Sequence, residues 1–295
     1  MDSIIYKGEK YKLTTSFQYY GLESIPLKTL QLRNMGINSI DEIEGLLELK
    51  DLEYLDLSGN AISDLKGLEE LTNLRKLLIG NGISEIKDVE KLINLTHLSL
   101  GDNISEIRGL ENNIMLTHLS LRKNITEIKG LDNLQNLYSL DLSHNVISEI
   151  KGLNKLENLK RLNLRSNQIS EINGLNSLRK IVDLDLSSNR ISEIENLSHL
   201  KDLSSLDLSF NKIKEIKGLE NLTKIWSLHL DSNRIREIRG LDALNKLQEI
   251  NLMNNQISNL KGIEVLHGCK VFLYGNPIPQ EQLDKIKKYV DLEAD

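Results

Sequence analysis

The stretch "LDLSSNRISEIENLSHL", residues 184–200, decides the fold, because its neighbours repeat it. Before it stands "LNLRSNQISEINGLNSL" (162–178) and after it "LDLSFNKIKEIKGLENL" (206–222). The apolar letters hold their places while the polar ones change. In L-x-L the two leucines point to one face of a short strand and the flanking letters to the other. The Asn that follows (Asn60, Asn145, Asn167, Asn189, Asn211, Asn233, Asn255) turns the chain out of the strand. Its amide offers donors and an acceptor, so stacked Asn side chains can satisfy backbone groups that the turn leaves unpaired. I-x-x-I and G-L-x-x-L then carry the chain back as turns or short 3₁₀ pieces, since 22 residues leave little room for an α-helix.

The first residue of the doublet falls at Leu30, Leu55, Leu77, Leu98, Leu119, Leu140, Leu162, Leu184, Leu206, Leu228, Ile250 and Val271, a spacing of 21 to 25 residues. L-x-L-x-x-N recurring at that period marks a repeat solenoid, in which no unit buries its apolar face alone and stability belongs to the stack. Three consecutive units, starting at Leu77, Leu98 and Leu119, lack one residue between strand and isoleucines ("LLIGNGISEI", "LSLGDNISEI", "LSLRKNITEI"), which predicts a local change of curvature.

"YLDLSGNAISDLKGLEELTNL" (54–74) and "LHLDSNRIREIRGLDALNKL" (228–247) resemble the 21–22-residue class of leucine-rich repeat. That class includes the leucine-rich regulatory subunit of protein phosphatase 1 and the internalins. The resemblance implies an α/β solenoid, a right-handed curved array of about twelve repeats. Its parallel β-sheet would line a concave face that grips a protein, with turns and short 3₁₀ pieces on the convex face. Phosphatase binding does not carry over, because positions matching the aromatic and acidic contacts of that subunit are here Ser139, Ser205 and Ser227.

At 295 residues with 4% aromatic content, the chain suits one elongated array better than a compact enzyme. A formal charge of −6 argues against nucleic-acid binding. No run approaches 18 apolar residues, so no membrane span is expected. The opening "MDSIIYKGEKYK" carries early charges and no signal-like apolar core. Cys269 is the lone cysteine, which excludes an internal disulfide framework and fits a reducing compartment, so a cytoplasmic location is expected. Three segments follow. Residues 1–24 form an N-terminal cap with a hairpin turning near Gly8, and 25–276 the solenoid. Residues 277–295 form a helical cap, set off by Pro277 and Pro279, with Leu283, Ile286 and Val290 near one face.

The flank barely varies. Glu85, Glu106, Glu127, Glu149, Glu171, Glu193, Glu215 and Glu237 form one column, with Lys87, Arg108, Lys129, Lys151, Lys217 and Arg239 beside it, which reads as a solvated face. The outward strand letters do vary, and they mark the expected partner-binding residues. These are Tyr54, His97, His118, Arg122, Arg161, Arg165, Asp185, Asp207, Phe210, His229, Met253, Phe272 and Tyr274. Arg122, Lys123, Arg161 and Arg165 form a basic stretch near acidic Asp183, Asp185 and Asp207, which either orients a partner or neutralises itself. Phe210, Met253, Phe272 and Tyr274 gather apolar area, as interface anchors or as packing under the cap. His97 and His118 should be strand neighbours, yet a zinc site needs a third or fourth ligand, and Ser99, Ser120 and Ser139 are poor ones.

The expected function is therefore a non-enzymatic scaffold that binds a protein, as a monomer, and regulates an enzyme in one version. No catalytic residue, cofactor or metal is assigned, and neither nucleic acid nor membrane is an expected partner. The alternatives are an enzyme or a metal- or carbohydrate-binding surface on Asp185, Asp207 and His229, or an exported adhesin-like repeat domain.

Overall fold

The computed structural model describes residues 3–20, 23–80, 82–101, 103–286 and 291–293. The chain divides into two compact units, Met1–Asp141 and Leu142–Asp295, and both are parallel-sheet repeat solenoids.

In the first unit, β1 (Ser3–Tyr6) and β2 (Glu9–Lys12) form an antiparallel hairpin through Lys7 and Gly8, both at positive φ. The hairpin buries Ile4 and Tyr6 and is tied to the first repeat by paired backbone bonds between Ile5 and Glu44. A second antiparallel pair follows, β3 (Thr14–Tyr20) on β4 (Glu23–Gln31). A cap boundary at residue 24 therefore falls inside a strand, because β4 is at once the partner of β3 and the first strand of the parallel array. That array continues as β5 (Tyr54–Leu57), β6 (Lys76–Ile79), β7 (His97–Leu100), β8 (His118–Leu121) and β9 (Ser139–Asp141).

The second unit stacks β10 (Arg161–Asn163), β11 (Asp183–Asp185), β12 (Ser205–Asp207), β13 (Ser227–His229), β14 (Glu249–Asn251) and β15 (Lys270–Phe272). After β15 comes a seven-residue helix, α1 (Gln280–Ile286), and then β16 (Asp291–Glu293), which pairs in parallel with β15. The end is thus a helix and a further strand. Leu283 is buried, and Gln282 Oε1 accepts the Leu260 N–H at 2.9 Å, while Val290 lies outside the described residues.

Register follows the leucines. Leu30, Leu55, Leu77, Leu98, Leu119 and Leu140 are successive partners in the first unit, and Leu162, Leu184, Leu206, Leu228, Ile250 and Val271 in the second. A one-residue slip would turn the inward leucines outward, so burial enforces the register. Opposite the strands, Ile40–Glu42, Leu46–Glu48, Leu68–Glu70 and Ile263–Leu266 form 3₁₀ turns, and other described repeats return as bends and turns.

The asparagines form a ladder in the second unit. Asn189 Nδ2 donates to the carbonyls of Leu164 (2.9 Å) and Leu186 (3.1 Å), and its Oδ1 accepts the Ile169 N–H at 3.0 Å. Asn167, Asn211, Asn233 and Asn255 repeat the pattern rung by rung. In the first unit Asn60 does the same for Leu32, Leu57 and Ile37. In the shortened repeats Asn103 and Asn124 are exposed, unlike the buried Asn60, Asn167, Asn189, Asn211, Asn233 and Asn255.

Candidate functional site

Outward strand positions alternate with the buried leucines, so Tyr54, His97, His118, Arg161, Asp185, Asp207, His229 and Phe272 take the outward side of their unit's sheet, while Arg122, Arg165, Phe210, Met253 and Tyr274 follow just beyond the strand ends. Their neighbours decide which of them are available.

In the first unit the outward side chains satisfy one another. Tyr54 Oη donates to Asp56 Oδ2 at 3.1 Å, and Arg33 pairs with the same carboxylate at 2.5 Å. Burial alone would raise the Asp56 carboxyl, but hydrogen bonds from Ser58 and Arg33 outweigh it and hold it below the ordinary range. His97 and His118 stack with ring centroids 4.1 Å apart and planes 8° from parallel. Each Nδ1 lies 3.0 Å from the hydroxyl of the preceding threonine, Thr96 or Thr117. Those hydroxyls donate their single proton to the carbonyls of Arg75 and Thr96, so each Nδ1–H must be the donor to the threonine. The pair is a tautomer-locked stack. Burial first, then the charges of His118 and Lys76, pushes the His97 pKa down to about 3. Arg122 pairs with Asp141 at 2.6 Å, so for this residue the basic stretch neutralises itself.

In the second unit Asp185 and Asp207 each hold a turn. Asp185 and Asp207 accept the backbone N–H two residues on, from Ser187 and Ser209, both at 2.9 Å. Asp56, Asn163 and Asn251 make the same bond to Ser58, Arg165 and Met253. An acid or amide in this column thus holds the turn at the strand's end, so Asp185 and Asp207, expected as partner-binding residues, also carry a structural role. Burial, with Asp207 adding, raises the Asp185 carboxyl, and burial and Asp207 raise Asp231 as well. His229 Nε2 lies 3.1 Å from Ser227 Oγ and 3.9 Å from Glu249. Among the described residues no group of three or more potential ligands is placed to hold a metal ion. Cys269 is buried, which pushes its thiol up to about 11.

The aromatic end behaves differently. Tyr274 is 49% exposed and Phe210 57%. Phe272 is half-buried beneath Lys270, whose Nζ stands 4.6 Å from the ring centroid, and Met253 is half-buried. Backbone bonds run Phe210 to Asp231, Ser232 to Met253 and Asn254 to Tyr274, so these residues follow one line across the ends of successive strands. Phe210 also has φ 54°, in a turn column where Ser166, Ser188, Ser232 and Asn254 take φ of 52–55°. A bulky side chain is a rare occupant of that region, and it is strained there. Arg161 and Arg165 are exposed beside this acid-lined sheet. The signal for Phe210 was present in the sequence as one aromatic in a column of turn formers, but its meaning needs the dihedral.

Leucine-rich repeat families match residues 175–283 and, as two-copy repeats, residues 27–70 and 139–177. The chain is a leucine-rich repeat protein. The repeat domains of internalins are similar to it. An internalin (InlF) from Listeria monocytogenes is 28% identical, over 92% of this chain and 89% of that one, with a TM-score of 0.74. A leucine-rich repeat protein of Leptospira interrogans is 26% identical, over 85% and 74%, with a TM-score of 0.67. TLR13 in complex with a single-stranded RNA shares the fold at 21% identity, over 84% of this chain and 43% of that one, with a TM-score of 0.67. Curated protein sequences give no match. This leucine-rich repeat protein therefore has a fold that serves in general as a protein–protein interaction scaffold, and its own side chains must say more.

Proposed function

We propose that this leucine-rich repeat protein is a non-enzymatic binding module that takes a protein partner on the outward face of its sheet, with Phe210 as the principal anchor. One observation carries the reading: a strained, 57%-exposed aromatic stands where the neighbouring repeats place Ser188 and Ser232. Folding does not need it there, and buried aromatic anchors dominate interface energies. Met253 and Tyr274 extend the apolar line, and Arg161, Arg165, Asp183 and Asp185 supply both signs of charge for orientation. The first unit's outward side chains, tied to one another, are a weaker candidate. A monomer in the cytoplasm belongs to the same proposal. Its support is the lone thiol of Cys269, and fractionation of the native cell is its test.

Phe210→Ser separates binding from folding. It restores the turn column's own residue, so the melting temperature should hold or rise while partner dissociation accelerates, with little dependence on salt. A variant that loses stability and keeps its partner would overturn the assignment.

A further inference from the structure

The flank of the second unit holds a cleft of about 550 Å³ lined by Lys214, Arg234, Arg236 and Arg239 together with Glu215 and Glu237. Both carboxylates engage Arg239, at 3.7 and 3.3 Å. Lys214, Arg234 and Arg236 make no ion pair with any described residue; Arg236 Nε donates to Gln256 Oε1 at 3.2 Å, which holds its guanidinium in place. The lining thus sets four cations against two carboxylates, a local positive excess in a chain whose formal charge is −6.

The first unit contains an internal control. Its flank has a cleft of about 310 Å³ lined by Ser84, Glu85, Asn103, Ser105, Glu106 and Arg108. Ser84, Glu85, Ser105, Glu106 and Arg108 stand at the repeat positions of Lys214, Glu215, Arg236, Glu237 and Arg239, and the Arg108–Glu85 pair at 3.6 Å matches Arg239–Glu215. The cleft is therefore a by-product of the repeat, and the basic side chains are not needed to build it. Ser63, Ser148, Ser170, Ser192 and Ser258 fill the same column elsewhere, so Lys214 and Arg236 are adjacent departures from it. Arg190, Lys212 and Arg234 add a parallel basic row, exposed on three consecutive repeats.

We propose that this groove is a second binding site, separate from the sheet face, for a short acidic peptide segment of a protein partner. Guanidinium forks pair carboxylates bidentately, and two arginines with a lysine offer that geometry along a groove. The chain's negative charge disfavours an extended polyanion such as nucleic acid, whereas a short segment within the ~8 Å screening length meets mainly the local cations.

The test is fluorescence anisotropy with a labelled decapeptide of alternating Glu and Gly. Wild-type protein should bind it at low salt and release it at high salt. Lys214→Ser with Arg236→Ser, which restores the repeat's own residues, should weaken binding about tenfold. The reverse graft, Ser84→Lys with Ser105→Arg, should create binding in the first unit of a protein lacking the native groove cations. Phe210→Ser should leave the peptide affinity unchanged, which keeps this site distinct from the sheet face. Equal affinity in wild type and the double serine variant would overturn the proposal. So would a thymidine decanucleotide binding as tightly as the peptide.

Discussion

Replacing Asn189 by Ala removes one rung of the amide ladder, and the cost can be worked bond by bond. The Ile169 N–H, on a fully buried residue, has Asn189 Oδ1 as its acceptor, so the variant leaves a buried donor unpaired. An orphan of that kind costs about 1–3 kcal/mol. The three acceptors of Nδ2 fare better. Leu164 O keeps Asn167, Leu186 O keeps Asn211, and Ser187 O keeps the Ser166 N–H. Their loss adds only part of a hydrogen bond each, which brings the expected destabilisation to about 2–4 kcal/mol. Asn189→Asp sharpens the test. It keeps the acceptor for Ile169 but sets a carboxylate oxygen where Nδ2 sits, 2.9 Å from Leu164 O and 3.1 Å from Leu186 O. Only the protonated acid can donate there, so its folded pKa should lie above the unfolded value of ~3.9. Stability lost at neutral pH should therefore be regained as pH falls toward that value. Urea titration followed by circular dichroism reads both variants. A loss below about 1 kcal/mol for the alanine variant, or an aspartate variant as stable at neutral pH as wild type, would refute the ladder argument.

Gly174 has φ 72°, and an added Cβ would meet Ile150 O at 1.9 Å, so Gly174→Ala should cost about 2 kcal/mol or more in the same titration. Asn113 is fully buried with an unpartnered Oδ1, while the two carbonyls its Nδ2 reaches, Val89 and Leu92, already accept backbone N–H groups. Asn113→Leu should therefore stabilise by about 1–3 kcal/mol, measured as a shift of the urea midpoint. His97, with its pKa pushed down to about 3, should stay neutral in imidazole NMR spectra at pH values where an ordinary histidine charges. Because the unfolded chain takes up that proton near ~6.5, His97's contribution is complete above that pH and is lost as pH falls from there toward 3. An imidazole midpoint near the ordinary value would contradict the buried, stacked pair.

Periodicity made the core legible. Leu55, Leu164, Leu186 and Leu208 are wholly buried because the L-x-L alternation leaves them one face to take. The amide ladder was legible too, since an asparagine recurring just past the strand in one full-length repeat after another must answer for backbone groups on both sides. The roles of Asp185 and Asp207 were not. A carboxylate in a strand reads as surface charge, and only the backbone bend that brings the i+2 N–H to it reveals the turn. Arg122 looked available because the sequence shows its charge but not that Asp141, on the next strand, reaches it. Strand β16 escaped because a three-residue element carries too little pattern to announce itself. Phe210 was picked out for its size, while the feature that makes it informative, a left-handed backbone under an aromatic, belongs to the fold.

Site-directed photocrosslinking in the native cell shows whether a protein partner sits on the sheet face beside Phe210. A benzoylphenylalanine at Ser205, on the outward face of β12, is compared with one at Glu171 on the flank, each with Phe210 intact and with Phe210→Ser. A discrete protein adduct is expected from position 205 that the serine variant abolishes, with no matching adduct from 171. An adduct from 171 alone, or one from 205 that survives Phe210→Ser undiminished, would contradict it.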